Sequence, residues 1–369
     1  MGCNAGVGLG RSSEESRMRH ETEAERAASR LGPVFVFSGQ GSQWAGMGRE
    51  LLERSTVFEM VLSACDAQVR RHLGWSLLEA VTQREATLGD IEVSCPAIVA
   101  MELALAALWR SWGVEPAAVV GHSIGEVAAA QVAGVLSLED AMRVICQQGR
   151  TMGRLRGQGA MAVVGLSWEQ AGEAPPGLEG RLWRVIHASP DWTVVGGEPL
   201  VLEQALAHWR RQGVVARWVD SEVAAHCPQV EPFGEELREQ LEGLCPRTER
   251  LPFFSTVTGG DVAARRLGAE HWVRNLTEPV LFREATGALI ARGHDVFLEI
   301  SPHPLVKHWL ESCLEYAGRA GTVLASMRRG REATQHLLET LRRLSGPRPR
   351  ESRTGTRFRV VDSSVEDGC

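Results

Sequence analysis

A serine between two glycines is the strongest chemical signal in this sequence. Gly121-His122-Ser123-Ile124-Gly125 matches the pattern G-x-S-x-G, in which a serine lies on a sharp turn between a strand and a helix. The glycines remove side chains that would clash in such a turn, and the first N–H groups of the following helix can stabilise an oxyanion. We predict that Ser123 is a nucleophile; the alternative is an ordinary glycine turn.

A serine nucleophile needs a base, and the chain has 11 histidines that could supply it. His226 lies in Val223-Ala224-Ala225-His226-Cys227-Pro228, where the chain is expected to return from an inserted domain. His122 adjoins the serine, so its side chain points elsewhere, and His303 lies between two prolines, which is typical of a structural turn. The pattern favours His226 but leaves the other histidines open.

The segment Gly39-Gln40-Gly41-Ser42-Gln43 follows the first predicted strand. A dinucleotide-binding loop would need a third glycine where Trp44 stands, and a Walker loop would need a lysine. Serine acyl-transfer sites take a second oxyanion donor from a backbone N–H on a loop of this kind. We therefore predict the N–H of Gln40 as such a donor, and we predict no bound metal or cofactor.

Length and composition limit the class of protein. The 369 residues predict about two domains, and 44% hydrophobic with 23% charged residues is typical of a globular chain. The formal charge of −6 argues against nucleic-acid binding. Eight scattered cysteines without a C-x-x-C pair predict reduced thiols. We find neither a signal-peptide pattern nor an apolar stretch long enough for a membrane, so we predict a cytoplasmic enzyme.

Predicted strands and helices alternate around the serine. Val34-Phe35-Val36-Phe37 and Pro116-Ala117-Ala118-Val119-Val120 are typical of buried strands, and helices are predicted near 47–71, near 95–112 and after the serine. This alternation predicts an α/β fold with a mainly parallel sheet covered on both faces.

After residue 158 the order of elements becomes strand, helix, two strands, helix and strand, which suits a ferredoxin-like insert. Its strands are predicted at 161–166, 182–186, 193–195 and 214–219, and its helices at 167–173 and 200–209. The predicted organisation is a flexible tail at 1–32, a large domain at 33–158 and 224–345, the insert at 159–223, and a loose tail at 346–369.

Five segments resemble, in the same order, one family of enzymes. They are Phe37-Ser38-Gly39-Gln40-Gly41-Ser42-Gln43, Gly121-His122-Ser123-Ile124-Gly125-Glu126, Ala225-His226, Trp272-Val273-Arg274-Asn275-Leu276 and Glu299-Ile300-Ser301-Pro302-His303-Pro304. Over residues 33–340 the chain resembles the malonyl-CoA:acyl-carrier-protein transacylases, and more closely the acyltransferase domains of modular polyketide synthases.

The resemblance implies an α/β-hydrolase-like large domain with a ferredoxin-like insert. It implies Ser123 as the nucleophile and His226 as the base, oriented by the backbone carbonyl of Asn275. It also implies the N–H groups of Gln40 and Ile124 as the oxyanion hole. The implied reaction is ping-pong: the serine takes an acyl group from a thioester and passes it to the phosphopantetheine thiol of an acyl carrier protein.

Two positions depart from the family pattern, and the first is Gln148. Extender-unit members carry an arginine there, which pairs with the malonyl carboxylate. The neighbours of Gln148 on its helical stripe, Val144 and Met152, are apolar, and Arg150 faces away. Because a buried carboxylate would lack a counter-ion at this position, the sequence predicts that malonyl units are rejected.

The second departure is Val223-Ala224-Ala225-His226, where the family usually shows Tyr-Ala-Ser-His or His-Ala-Phe-His for methylmalonyl and malonyl units. Small apolar residues there predict a widened, apolar acyl pocket, and the alternative is drift in an ordinary malonyl enzyme. The predicted substrate-binding residues are Gln148, His122, Val223, Ala225 and Met152.

These observations predict an acyltransferase that loads a non-carboxylated acyl group, a starter or preassembled chain, from acyl-CoA or an acyl carrier onto an acyl carrier protein. The alternatives are an extender-unit transferase, a hydrolase that clears stalled carriers, and a non-catalytic docking module. We expect a monomeric discrete enzyme or loading domain without nucleic-acid or membrane partners. We also expect the acidic carrier to contact Arg210, Arg211 and Arg217, unless these arginines only form a solvated face.

Overall fold

The structure is a computed structural model that describes residues 31–83 and 88–345. The tails predicted at 1–32 and 346–369 lie outside the described residues, apart from Leu31 and Gly32. The described residues form two separate sheets and the helices that cover them, in agreement with the predicted large domain and insert.

A six-stranded sheet forms the centre of the large domain. Its strands, numbered along the chain, are β1 (Val34–Phe37), β2 (Ala118–Gly121), β7 (Phe253–Ser255), β8 (Gly260–Asp261), β9 (Val296–Ile300) and β10 (Thr322–Ala325). They lie in the order β10-β9-β1-β2-β7-β8, and every neighbouring pair is parallel except β7 with β8. The mainly parallel sheet is confirmed. The short antiparallel strand at its edge was not indicated by the sequence.

Helices cover both faces of this sheet. Those of the large domain are α1 (Arg49–Arg54), α2 (Thr56–Leu73), α3 (Leu77–Thr82), α4 (Ile91–Ser111), α5 (Gly125–Val132), α6 (Leu138–Gly153), α8 (Gly234–Gln240), α9 (Ala269–Thr277), α10 (Phe282–Ala291), α11 (Lys307–Tyr316) and α12 (Ala333–Ser345). Successive side chains of β1 point to opposite faces. Phe35 and Phe37 pack with α2, α4 and α6, whereas Val34 and Val36 pack with α10 and α11. This two-sided burial explains the continuous apolar run in the sequence.

The insert forms a four-stranded antiparallel sheet. Its strands are β3 (Ala160–Val164), β4 (Leu182–Ser189), β5 (Trp192–Gly197) and β6 (Ala216–Trp218), and α7 (Pro199–Arg211) packs on it. The strand order β4-β5-β3-β6, with the chain order of the elements, is ferredoxin-like. The first predicted helix, at 167–173, is wrong, because only a 3₁₀ turn at Gln170–Gly172 forms there.

The insert is fixed to the large domain next to β4. Val280, just before α10, donates its N–H to the carbonyl of Val185 (3.0 Å) and accepts from the N–H of His187 (2.9 Å). The side chain of His187 also lies 2.6 Å from a carboxylate oxygen of Glu284 on α10. These bonds attach the edge strand of the small sheet to the large domain.

Two predicted helices differ from those observed. The helix near 47–71 is two helices, because Ser55 is extended (φ −139°, ψ 108°) and its hydroxyl accepts from the N–H of Phe58. The helix near 95–112 begins earlier, where Asp90 accepts from the N–H of Glu92. The expectation that no apolar stretch is long enough for a membrane is wrong, because this helix, α4, has 21 residues and is apolar enough to cross one. However, 83% of its most apolar part is buried inside the protein. Its composition is therefore that of a core helix.

Candidate active site

Ser123 lies on a tight turn between β2 and α5, as the G-x-S-x-G pattern predicts. Its φ of 55° is in the left-handed region, where a residue with a Cβ is strained. A Cβ at Gly121 would lie 2.2 Å from the backbone of Glu126, and a Cβ at Gly125 would lie 2.4 Å from the carbonyl oxygen of Phe37. Both glycines are therefore required by close backbone approach, and they allow the serine to project from the end of β2.

The side chain of His226 meets this serine. The Oγ of Ser123 and the Nε2 of His226 are 2.7 Å apart, which is the geometry of a nucleophile and its base. His226 also has a positive φ, 63°, and these two are the only non-glycine residues of the described chain with positive φ. The backbone N–H of His226 donates to the carbonyl of Leu276 at 3.0 Å, which anchors the strained residue to α9.

The imidazole of His226 is kept neutral by its surroundings. Burial lowers its pKa from 6.5 to about 4, and backbone acceptors at Glu278 and Asn275 offset this only in part. The buried Nδ1 atom forms no well-aligned hydrogen bond with a described residue. The backbone acceptors that face the ring therefore belong to Asn275 in α9 and to Glu278 at its C-cap. The family resemblance implied only Asn275, and nothing in the sequence marks Glu278.

The predicted oxyanion donors lie on neighbouring turns. The loop carrying Gln40 follows β1, and Ile124 follows the serine after β2, so both lie at the carboxyl edge of paired parallel strands. Within the described residues, neither backbone N–H donates to a protein acceptor. Two free N–H groups beside the serine could together bind an oxyanion.

Gln148 lies in a hydrogen-bonded chain that leads to the nucleophile. Its Nε2 donates to the carbonyl of Trp272 and to the Oδ1 of Asn275, both at 3.1 Å. The Nδ2 of Asn275 in turn donates to the backbone carbonyl of Ser123 at 3.3 Å. The Oε1 of Gln148 is buried and has no partner among the described residues. Because Gln148 is 0% exposed, it presents a neutral amide where a charge would be costly.

Three of the other predicted substrate-binding residues are apolar and buried. Met152, Val223 and Ala225 are buried in the large apolar cluster that also contains Ile124. A cavity of about 250 Å³ is lined by Val223 and Gln40, together with Gln43, Gly89, Ile91, Arg156, Asp220, Ser221 and Glu222. The cavity therefore has two predicted site residues, Val223 and Gln40, in its lining.

His122 lies elsewhere. Its ring makes an edge contact with Phe282 and a tilted contact with Trp309, with centroids 5.5 Å apart in each case. Burial lowers its pKa from 6.5 to about 3, so the ring is neutral. His122 is therefore packed in the core beside the serine turn. This position gives no support to the predicted contact between His122 and substrate.

The predicted carrier-binding arginines lie together on the insert. Arg210 and Arg211 end α7, and Arg217 lies in β6 at the edge of the small sheet. Arg210 donates to the carbonyl of Ala216 at 2.9 Å, which brings the helix end beside this strand. All three arginines are exposed.

Comparison with known proteins identifies the family. Residues 34–347 match the family model described as "Acyl transferase domain". The chain is 44% identical over 299 residues to the spectinabilin polyketide synthase system protein NorA' of Streptomyces orinoci. The aligned region covers 80% of this chain and 8% of that protein. It is 40% identical over 318 residues to erythronolide synthase EryA3 of Saccharopolyspora erythraea, covering 84% of this chain and 10% of that protein. The chain thus spans about a tenth of the length of these relatives.

Solved structures agree with this assignment. The acyltransferase domain from module 8 of the salinomycin polyketide synthase is 38% identical, with a TM-score of 0.82 over 86% of this chain and 75% of that chain. The loading acyltransferase of the avermectin modular polyketide synthase is 36% identical, with a TM-score of 0.81 over 85% of this chain and 100% of that chain. The large domain and ferredoxin-like insert are therefore those of an acyltransferase domain. The chain belongs to the acyl transferase domain family and is an acyltransferase similar to those of modular polyketide synthases.

Proposed function

We propose that this protein transfers a non-carboxylated acyl group, a starter or preassembled chain, from an acyl thioester to the phosphopantetheine thiol of an acyl carrier protein. Coenzyme A or another acyl carrier is the donor, and the enzyme itself holds no cofactor. The proposed setting is polyketide biosynthesis in the cytoplasm, with the protein acting as a monomer. The 2.7 Å contact between Ser123 and His226 carries the acyl-transfer part of the proposal.

The proposed reaction has two half-reactions with the same geometry. Ser123 Oγ attacks the thioester carbonyl as its proton passes to Nε2 of His226, and the N–H groups of Gln40 and Ile124 bind the oxyanion. The C–S bond then breaks, and the imidazolium returns the proton to the departing thiolate. In the second half-reaction the carrier thiol gives its proton to His226 and attacks the acyl-serine. The C–O bond breaks as His226 protonates Oγ of Ser123.

The lack of a free cation beside Gln148, among the residues that the structure describes, supports a non-carboxylated acyl group. Gln148 is neutral and already bonded to Trp272 and Asn275. The arginines near it have other partners. Arg143 donates to the carbonyls of Gln240 and Glu242, Arg154 pairs with Glu236, and Arg156 pairs with Asp90 and Glu222, whereas Arg150 points to solvent. A buried carboxylate would therefore lose its water without gaining a counter-ion.

Overall similarity does not select the acyl group. The loading acyltransferase mentioned above resembles the chain, but so does the acyltransferase domain of SpnD, solved in complex with 2-(pent-4-yn-1-yl)malonyl. The latter is 28% identical, with a TM-score of 0.77 over 86% of this chain and 77% of that chain. The proposed specificity therefore rests on Gln148 and the apolar residues around it.

We expect the enzyme to reject malonyl units by at least about 100-fold (about 2.7 kcal/mol) relative to its preferred monoacyl thioester. The physical reason is the unpaired buried carboxylate described above. Competition among propionyl, butyryl and malonyl thioesters, read by intact mass of the acyl-enzyme and of the acylated carrier, measures this ratio. Release of free acid in place of acylated carrier would instead indicate a hydrolase.

Gln148→Arg should shift the preference toward malonyl or methylmalonyl units, because it restores a cation in the same helical stripe. Gln147→Arg is the matched control, since it adds the same charge one residue away, on a side chain that is only partly buried. If the unmodified enzyme loads malonyl faster than every monoacyl donor, the starter-unit proposal fails and an extender-unit transferase takes its place.

We further propose that an acidic carrier protein docks on the insert at Arg210, Arg211 and Arg217. Reversing the charge of Arg210 and Arg211 to glutamate should raise KM for the carrier at low salt, with little change in acyl-enzyme formation from a CoA thioester, because only the docking step uses these charges. The exposed pair Arg265 and Arg266 provides a matched control. Carrier kinetics and salt dependence that stay the same after reversal would remove this docking surface.

A further inference from the structure

A buried carboxylate lies directly behind the serine turn and has no part in the reaction described above. Glu126, in the first turn of α5, is 0% exposed. Its Oε1 accepts from the Oγ of Ser255 (2.7 Å) and lies 2.8 Å from the Nε2 of His271, and its Oε2 accepts from the N–H and the Oγ1 of Thr256 (2.8 Å each). Carboxylates are seldom fully buried, and these neighbours satisfy the ionised form.

The same carboxylate ties the serine turn to the next strand. The backbone N–H of Glu126 donates to the carbonyl of Ser123 at 3.0 Å. Thr256, at the end of β7, has its hydroxyl 3.0 Å from the carbonyl of Gly121, the last residue of β2, and 2.8 Å from Glu126. Strand β7, strand β2 and the serine turn are therefore joined through Thr256 and through the backbone and carboxylate of Glu126.

The proposed proton transfer creates a charge that this carboxylate can stabilise. When Ser123 gives its proton to His226, a buried imidazolium forms, and burial disfavours it. No carboxylate bonds to the ring of His226, whose Nδ1 faces only backbone acceptors among the described residues. Glu126 is nevertheless close to this ring, because its backbone is bonded to Ser123, whose Oγ lies 2.7 Å from His226, and Glu126 and His226 are both buried. At this position its carboxylate raises the pKa of the imidazole.

We propose that Glu126 is a positioning residue that supplies the fixed negative charge of this site. Its carboxylate holds the serine turn against β7, and it also stabilises the imidazolium form of His226 without contacting the ring. The inference rests on the proposed roles of Ser123 and His226. It explains why a charge is retained in the core, where an apolar side chain would pack without desolvation cost.

A double-mutant cycle separates this electrostatic role from a purely structural one. Glu126→Gln keeps the shape and removes the charge, and it should slow single-turnover acylation by about tenfold or more. In a His226→Ala background the imidazolium is absent, so the same change should have less than about a threefold effect. Glu284→Gln is the matched control: it neutralises a partly buried glutamate, the partner of His187, and should leave acylation unchanged.

The outcomes are distinguishable. An equal loss with and without His226 would mean that Glu126 only supports the fold of the turn, and no loss in either background would remove any role; both overturn the inference. A near-normal rate for His226→Ala alone would overturn the proposed base itself. If circular dichroism shows that Glu126→Gln does not fold, Glu126→Asp, which keeps the charge on a shorter side chain, is measured instead and should retain a near-normal rate of acylation. A loss of about tenfold or more in folded Glu126→Asp would then overturn the role of the charge.

Discussion

Replacing Ser123 with alanine should abolish acyl transfer while the protein stays folded. The reason is that Oγ is the atom proposed to form the acyl ester, and no other described hydroxyl is bonded to His226. The fold should tolerate the change, because Ser123 is only partly buried and the carbonyl of this residue, not its side chain, is bonded to Asn275 and Glu126. Intact mass spectrometry after incubation with acyl thioesters, together with a thermal melt, measures both expectations.

Ser111→Ala is the matched control, since it removes the same atom at the far end of α4, where the hydroxyl is bonded only to the carbonyl of Leu108. This variant should form the acyl-enzyme at the normal rate. Accumulation of a covalent acyl adduct on Ser123→Ala would show that the nucleophile has been assigned to the wrong residue.

Replacing His226 with alanine should slow acylation by about 10²- to 10⁴-fold, the range typical of losing a general base. Without the imidazole, the proton of Ser123 has no acceptor at 2.7 Å. Some acylation should remain, because a thiolate leaves readily and the two oxyanion donors stay in place. Single-turnover rates of acyl-enzyme formation give the value. His208→Ala, on α7 of the insert, is the control and should react normally; a near-normal rate for His226→Ala would point to another base.

The pH dependence provides a second test of the same residue. Because burial lowers the pKa of His226 to about 4, its neutral form predominates above that pH, and acylation should decline only as the pH falls through about 4.

The free energy of unfolding should depend on pH in the same direction as the rate of acylation. The unfolded chain takes up a proton near pH 6.5 and the folded state near pH 4, so the free energy of unfolding decreases as pH falls between these values. His122, with a pKa of about 3, adds to this loss in the same direction. His226→Ala should therefore make stability less sensitive to pH between 6.5 and 4.

Local sequence signals were sufficient for the serine turn and the general architecture. Gly121 and Gly125 mark the turn because their missing side chains are a local requirement that the sequence displays directly. The continuous apolar run of β1 and the four strands and second helix of the insert are also local patterns, and these are confirmed. Short elements were predicted less well. Ser55 divides one predicted helix, and the predicted helix at 167–173 is a single 3₁₀ turn. Tertiary packing and capping decide the structure of such short segments.

Only the tertiary structure decided how the distant parts of the site meet. His226 lies 103 residues from Ser123, and it contacts the serine because its strained backbone is held by α9, a constraint without a sequence signature. The sequence showed that Gln148 is not a cation, but only the fold shows that its amide is bound by Asn275 and thereby linked to the nucleophile. The sequence shows Glu126 as part of a motif, but its proposed role depends on hydrogen-bond partners that lie on other strands and helices. Residue types determine which chemistry is available, whereas the parallel sheet, by gathering the ends of β1, β2 and β7 at one edge, determines which residues carry it out.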